Sequence, residues 1–235
     1  MCYTGDALSG KEGAPVPTIP TENYLITIQT LHDDGIRCIP ARIAERMGVS
    51  APTVTEAIKR MVRDGYVCHK DGREIVLTER GREIALTLMR RHRMVERWLT
   101  DVLGLDWATA HEEAHRLEHA ISDLVAERLW SSMGYPDSCP HGNPITESSA
   151  RAAGSCVRLK EVPAGTVVVL QRISELAEDN RALMRFFEEK GFRPGARLEV
   201  RDRGPLNDTF TVVVGEQTAA LSEDVAAYLW VRPER

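Results

Sequence analysis

Four of the seven histidines fall between residues 92 and 119, and carboxylates are interleaved with them at helical spacings. The run ATAHEEAHRLEHAISDLV holds His111, His115, Glu118 and His119. At about 100° per residue these sit at roughly 0°, 40°, −20° and 80° on a helical wheel, so they share one face. His92 and Glu96 stand at i and i+4 in the preceding helical stretch, again on one face. Imidazole and carboxylate are ligands for borderline divalent metals, so the pattern offers metal binding. His111 and His119 are eight residues apart, which is roughly 12 Å along a helix. One ion cannot reach both, and two sites are expected. The plainer reading is a solvated polar face, with His92 and Glu96 as an exposed helical pair.

A second chemistry competes for the same residues. His111-Glu112-Glu113-Ala114-His115 matches H-E-x-x-H, in which two histidines bind zinc and the glutamate acts as general base. Such a metallohydrolase also needs a third ligand and a substrate cleft. The surrounding sequence suggests neither, so a binding protein rather than an enzyme is expected.

The elements that must carry these side chains can be read from periodicity. Helical patterning starts at Thr21, a possible cap, with Tyr24, Leu25, Ile28 and Leu31 on one face. It returns at 41–47, 51–63, 82–103 and 109–133. YVCHKDGREIVLT predicts two short strands around Asp71-Gly72, a hairpin signal. Residues 134–156 are rich in turn formers and read as a connection. Beyond them VVVLQRI, RLEVRD and TFTVVVG surround a helical stretch near 181–190, a pattern that predicts a small β-barrel. The expected organisation is a flexible tail (1–20), a winged helix-turn-helix (21–85), a helical unit (86–140), a linker (141–156) and a β domain (157–235).

Residues 41–64, ARIAERMGVSAPTVTEAIKRMVRD, are the source of the helix-turn-helix expectation. Ile43, Ala44, Met47, Val54, Ile58 and Met61 are spaced for a two-helix core, and Gly48 falls where the turn needs a permissive backbone. The hairpin that follows supplies a wing. Ser50, Pro52, Thr53, Thr55, Glu56 and Lys59 lie on the outer side of the second helix, suited to base edges in a major groove. Arg60, Arg63 and Arg73 suit phosphates. A solvated helical hairpin would share the periodicity. It would not need the wing, or the basic excess of eight Lys/Arg over four acids in residues 37–73.

Composition limits the remaining classes. Thirty Lys+Arg against 35 Asp+Glu give a net charge of −5, so a globally basic nucleic-acid coat is excluded while a local patch is not. No apolar run reaches membrane-spanning length, and the first residues, MCYTGDALSG, lack a signal-peptide pattern. Five scattered cysteines without a C-x-x-C pair suggest reduced thiols and a cytoplasmic location.

From Thr21 onward the chain resembles the diphtheria-toxin-repressor family of metal-dependent transcriptional regulators. The resemblance rests on ENYLITI, ARIAERMGVSAPTVTEAIKRMVRDG, LTERGREIA, MRRHRMVERWLTDVLGL, HEEAHRLEH and HGNPI, in that order. It implies a winged helix, a helical metal and dimerisation domain, and a C-terminal SH3-like β-barrel. It implies a homodimer that binds a palindromic DNA operator when activated by Fe(II), Mn(II) or Zn(II), and that represses metal-homeostasis genes. By position it assigns one metal site to His92, Glu96 and His111, with acceptors among Glu175, Glu178, Asp179 and Asn180. It assigns a regulatory site to Asn23, His115, Glu118 and His119, where a shared ion would tie the first helix to the dimer core. Iron-type members carry Met and Cys in place of Asn23 and His115, and manganese-type members carry Asp and Glu. With one carboxylate and two imidazoles, the regulatory set ranks Fe(II) or Zn(II) slightly above the harder Mn(II). Glu56 replaces a Gln of the iron-type recognition helix. A regulator whose metals are purely structural is the other DNA-binding reading.

Overall fold

The computed structural model describes residues 16–152, 154–204 and 208–234. Most of the expected N-terminal tail therefore lies outside the described residues. The chain forms two compact units, which divide between residues 89 and 90.

In the first unit, α1 (Ile19–Asp33), α2 (Pro40–Met47) and α3 (Ala51–Arg63) precede β1 (Val67–Lys70) and β2 (Glu74–Leu77). A long helix, α4 (Glu79–Asp101), begins here. The first helix starts three residues earlier than a Thr21 cap would place it, with Thr18 at its N-cap. The turn after α2 works because Gly48 adopts φ 64°, and its N–H closes the helix on Ala44 and Glu45 carbonyls. Ser50 then caps α3, accepting the Thr53 N–H at 3.3 Å. Leu25, Ile28, Ile43, Val54, Ile58 and Met61 are buried and form the core. The hairpin pairs Val67 with Leu77 through Lys70 with Glu74. Asp71 and Gly72 turn it with φ 48° and 76°. The order is helix, turn, helix, wing.

The second unit begins within α4 and continues with α5 (Trp107–Leu117), α6 (Asp123–Ser132) and α7 (Glu147–Ala152). The single helix expected over 109–133 is in fact two. Ala120 and Ile121 N–H groups both return to the Leu117 carbonyl, and Ser122 caps α6 on Val125 N–H. The apolar spacing runs through the break, which is why periodicity alone misses it. Val95 and Leu99 of α4 pack on Ala110 and Ala114 of α5, whose small side chains allow close approach.

The C-terminal portion holds β3 (Val157–Arg158), β4 (Thr166–Ile173), α8 (Arg181–Glu189), β5 (Arg197–Arg203), β6 (Thr209–Val214), β7 (Gln217–Ser222), α9 (Glu223–Ala226) and β8 (Leu229–Pro233). The strands make one six-stranded antiparallel sheet in the order β3-β8-β4-β5-β6-β7. This is the small antiparallel β domain expected at the C-terminus; among the described residues no ladder joins its outer strands β3 and β7. Alternate residues of β6, Phe210, Val212 and Val214, point into a core with Leu170, Phe187, Phe192 and Leu198. Trp107 and Ala108, in the first turn of α5, belong to the same core. That anchor fixes His111, one helical turn further on, relative to the sheet.

Candidate metal centre and nucleic-acid interface

His92 and Glu96 on α4 are both buried, at 8% and 0% exposure, so the exposed-pair reading fails. Their neighbours come from three directions. His111 arrives on α5, Glu178 from the turn between β4 and α8, and Cys139 and His141 from the segment after α6. Two sets of donors each lie within 4.8 Å of one another. They are His92, Glu96, His111 and Glu178, and Glu96, Cys139, His141 and Glu178.

The segment with turn-forming composition is thus part of the site. Its chain folds back with Cys139 N–H donating to the Asn143 carbonyl at 2.9 Å and Gly142 N–H to the Cys139 carbonyl at 3.0 Å. Ile173 N–H on β4 donates to the His141 carbonyl at 2.9 Å. Gly142 (φ 88°) lies so close to β4 that a Cβ there would stand 2.2 Å from the Gln171 carbonyl oxygen. The Trp107 and His141 rings pack in a T-shaped arrangement at a centroid distance of 4.7 Å. Asn143 Nδ2 donates to the Ile173 carbonyl at 2.9 Å and to Glu178 Oε1 at 3.0 Å, fixing that carboxylate.

A smaller cluster lies at the end of α5. Glu118 Oε1 is 3.0 Å from His115 Nδ1 and 3.1 Å from His119 Nε2. Its Oε2 accepts from His92 Nδ1 at 2.6 Å. His92 therefore stands between the two clusters, with Nε2 turned to Glu96 at 3.6 Å. His115 is half-exposed while Glu118 is buried. Asn23, assigned to this site by resemblance, sits on α1 in the other unit, and its Oδ1 is buried with no hydrogen-bond partner.

Ionisation follows from these contacts. Burial pushes the His92 imidazolium down, but Glu118 and Glu96 outweigh it and its pKa rises to about 10. Burial likewise opposes the charge on His111, while Asp179, Glu178 and Glu96 raise its pKa to about 12. His141 is raised well above the usual value by Glu96 and Glu178 despite complete burial. The carboxylates move the other way. Burial would raise Glu96, but His141 and His111 hold it well below the usual range. Burial and the Glu96 charge would raise Glu178, but His141 and His111 bring it to about 2. Glu118 is lowered by His115, His119 and His92 against its burial. The Cys139 thiol is pushed up to about 11 by burial and by Glu96. Without metal, protons on the imidazoles neutralise buried carboxylates; a bound cation would take over that charge.

The H-E-x-x-H reading does not survive this geometry. His111 Nδ1 faces Glu96 at 3.3 Å, whereas His115 Nδ1 faces Glu118, so the two imidazoles serve different clusters. Glu112 is engaged by Arg181 at 2.7 Å. Among the four acceptors suggested for the first site, only Glu178 joins the donor set. Asp179 touches the outer nitrogen of His111 at 3.2 Å, Glu175 accepts from Arg93 at 2.6 Å, and Asn180 caps α8. Sequence reasoning missed His141 and Cys139 as candidate ligands. The available signal was a fifth imidazole two residues from a thiol in CPHGN.

In the first unit, Ser50, Pro52, Thr53, Thr55, Glu56, Lys59, Arg60 and Arg63 are all exposed on or before α3, and Arg73 is exposed on the wing. Thr55 Oγ1 is turned back to the Ala51 carbonyl at 2.9 Å, and Glu56 is paired with Lys59 at 2.7 Å. The polar face is continuous and backed by Val54, Ala57, Ile58 and Met61. An exposed polar face with Arg60 and Arg63 toward its C-terminal end would suit a recognition helix and phosphate contacts.

Together these features define a class, the winged-helix regulators that carry clustered metal-ligand side chains. Three family descriptions match in sequence. They are the iron-dependent repressor N-terminal DNA-binding domain over residues 18–75, the iron-dependent repressor metal-binding and dimerisation domain over 78–147, and the FeoA domain over 157–233. The iron-dependent repressor IdeR of Mycobacterium leprae is 36% identical over 216 residues, 88% of this chain and 94% of that protein. The diphtheria toxin repressor of Corynebacterium efficiens is 36% identical over 202 residues, 83% of this chain and 86% of that protein. A manganese-dependent transcriptional repressor solved with manganese superimposes with a TM-score of 0.79 at 31% identity, covering 91% of this chain and all of that one. ScaR with bound zinc gives 0.75 at 28%, covering 93% and all of that chain. The chain belongs to the iron-dependent repressor family, which includes the diphtheria toxin repressors. That is a family of transcriptional repressors, not of hydrolases.

Proposed function

We propose that the protein is a metal-activated repressor that binds a palindromic double-stranded operator as a homodimer in the cytoplasm and controls iron or manganese homeostasis genes. The observation that carries this reading is the spacing of the buried donors. An ion about 2.1 Å from each ligand sets donor–donor edges of roughly 3.0 to 3.4 Å. The corresponding edges are 3.2 Å from His92 Nε2 to His111 Nδ1 and 3.3 Å from His111 Nδ1 to Glu96 Oε1. Glu178 Oε2 lies 3.4 Å from His111 Nδ1. In the second cluster the Glu118 edges are 3.0 and 3.1 Å. Fe(II), Mn(II) and Zn(II) all suit such nitrogen and oxygen donors.

The ion at His115, Glu118 and His119, with Asn23 added by resemblance, is the regulatory one. Its binding free energy shifts the protein toward the DNA-competent form by as much as it favours that form. Exposed Val102, Leu103, Leu124 and Val125 of the helical unit supply apolar surface for a second copy. No helix among the described residues is long and apolar enough to cross a membrane. Metal content and operator binding of wild type, His115→Ala, His111→Ala and Asn23→Ala, measured anaerobically, test the assignment. His115→Ala should lose metal-dependent DNA binding. Full metal content and full binding in that variant would remove the regulatory role from this cluster and favour purely structural metals.

A further inference from the structure

We propose that Glu56 and Lys59 of α3 act as one hydrogen-bonding pair that selects a C·G base pair in each operator half-site. The Glu56 carboxylate accepts from cytosine N4, and the Lys59 ammonium donates to guanine O6 and N7. This role rests on the repressor reading above and adds to it the identity of one base pair.

The packing of α3 places the two side chains. Val54, Ala57, Ile58 and Met61 form its buried side. At about 100° per residue, Pro52, Glu56, Lys59 and Arg63 all fall within about 30° of the opposite direction. They form the ridge that enters deepest when such a helix lies in a major groove. Other outward groups of the first two turns are engaged locally. Ser50 Oγ contacts Thr53 Oγ1 at 2.8 Å, and Thr55 Oγ1 donates to the Ala51 carbonyl at 2.9 Å. Pro52 has no side-chain donor or acceptor. Glu56 and Lys59 are thus the polar groups that the ridge offers ahead of Arg63.

Glu56 stands out by charge. It is the only carboxylate in the α3 sequence APTVTEAIKRMVR, on the face that must approach phosphates. Its pair with Lys59 is exposed on both sides and adds little to folding. Lys59 Nζ donates to Glu56 Oε1 at 2.7 Å, so the two enter a groove as a neutral unit. Spacing then decides which base pair they fit. In a C·G pair, cytosine N4 and guanine O6 bond each other at about 2.9 Å, so a donor and an acceptor stand side by side at the groove edge. An acceptor and a donor 2.7 Å apart are their complement. Guanine N7, next to O6, gives the ammonium a second acceptor. In an A·T pair the two acceptors, adenine N7 and thymine O4, stand on either side of the N6 donor, so Lys59 could reach only one of them.

The test lets the full chain, loaded anaerobically with Mn(II), Fe(II) or Zn(II) in turn, select from a randomised duplex library. Affinities for the selected duplex are then measured by fluorescence anisotropy over a range of salt. Wild type should fix a C·G pair in each half-site, and changing it to A·T should weaken binding by about 5- to 150-fold. Glu56→Gln should move that position to A·T, because an amide pairs with adenine N6 and N7. Replacing the guanine by 7-deazaguanine, which lacks N7, should weaken wild type but not Lys59→Ala. The double variant Glu56→Gln/Lys59→Ala should lose the C·G preference yet keep the wild-type salt dependence, since a neutral pair has been replaced by neutral side chains. A Lys59 spent on phosphate would instead lower the salt slope by about one. Both side chains are exposed, so thermal midpoints should match wild type. The same motif from wild type and Glu56→Gln, or a reduced salt slope in the double variant, would overturn the paired readout while leaving the repressor reading intact. If wild type selected no sequence with any of the three metals, the repressor reading itself would fall.

Discussion

Replacing Gly142 by alanine probes the link between fold and metal centre most sharply. Gly142 holds φ 88°, where an L side chain costs about 1–2 kcal/mol. The added Cβ would also stand 2.2 Å from the Gln171 carbonyl oxygen and 3.0 Å from Arg172 Cα, both backbone atoms of β4. Relieving that overlap means shifting the loop or the strand by about an ångström, an overpacking cost of about 1–3 kcal/mol. The sum is about 2–5 kcal/mol. Gly134 is the internal control: its φ is 77°, but nothing lies within 4 Å of its Cβ position, so Gly134→Ala should cost only the backbone strain. Urea unfolding of the metal-free proteins should therefore place the Gly142→Ala midpoint below that of Gly134→Ala by about 1 M. The same variant should bind less metal, because the displaced loop carries Cys139 and His141. Equal midpoints for the two variants would refute the close approach. Intact metal content in a destabilised Gly142→Ala would refute the loop's part in the centre.

Three further outcomes follow from the geometry. Glu56→Gln should change the preferred operator sequence or strengthen binding, because an amide can donate to adenine and Lys59 is released from its pair toward phosphate; identical motifs and affinities in a selection experiment would show that Glu56 does not contact DNA. The metal-free protein should lose stability as pH rises above about 6.5, since His92 and His111 have folded values raised to about 10 and about 12. Their contribution is complete below the unfolded pKa and drains away toward the folded one, whereas Glu178, lowered to about 2, contributes above its ordinary value and is lost only in acid; a thermal midpoint that stays flat or climbs from pH 6.5 to 9 would contradict this. Glu112→Gln should leave metal content and DNA binding within error of wild type, because Glu112 faces Arg181 rather than a metal cluster.

What could be read from the sequence was local. The turn at Gly48, the cap at Ser50 and the Asp71-Gly72 hairpin are each dictated by a few adjacent residues, and the helix-turn-helix with its wing follows. The one-face pattern of His111, His115 and Glu118 was also visible, because helical period alone fixes it. The break after Leu117 was hidden, since Ile121 and Leu124 continue the apolar spacing across it and no glycine marks the stop. His141 was hidden for a different reason. Its segment has the composition of a turn, and only the approach to β4 buries it against Glu96 and Glu178. Glu178 stood among four neighbouring polar residues, and which one turns inward depends on Asn143, far away in sequence. The pairing order of the sheet is likewise a matter of distant contacts, which is why the strands were legible and their order was not.

The central claim, that metal occupancy switches DNA binding, is tested most directly by stripping the protein with a chelator and measuring operator binding by gel shift as Mn, Fe, Co and Zn are restored one at a time. The account predicts no specific shift without metal and a metal-dependent shift with at least one of these ions, lost in His115→Ala. Equal operator affinity with and without chelator would contradict it.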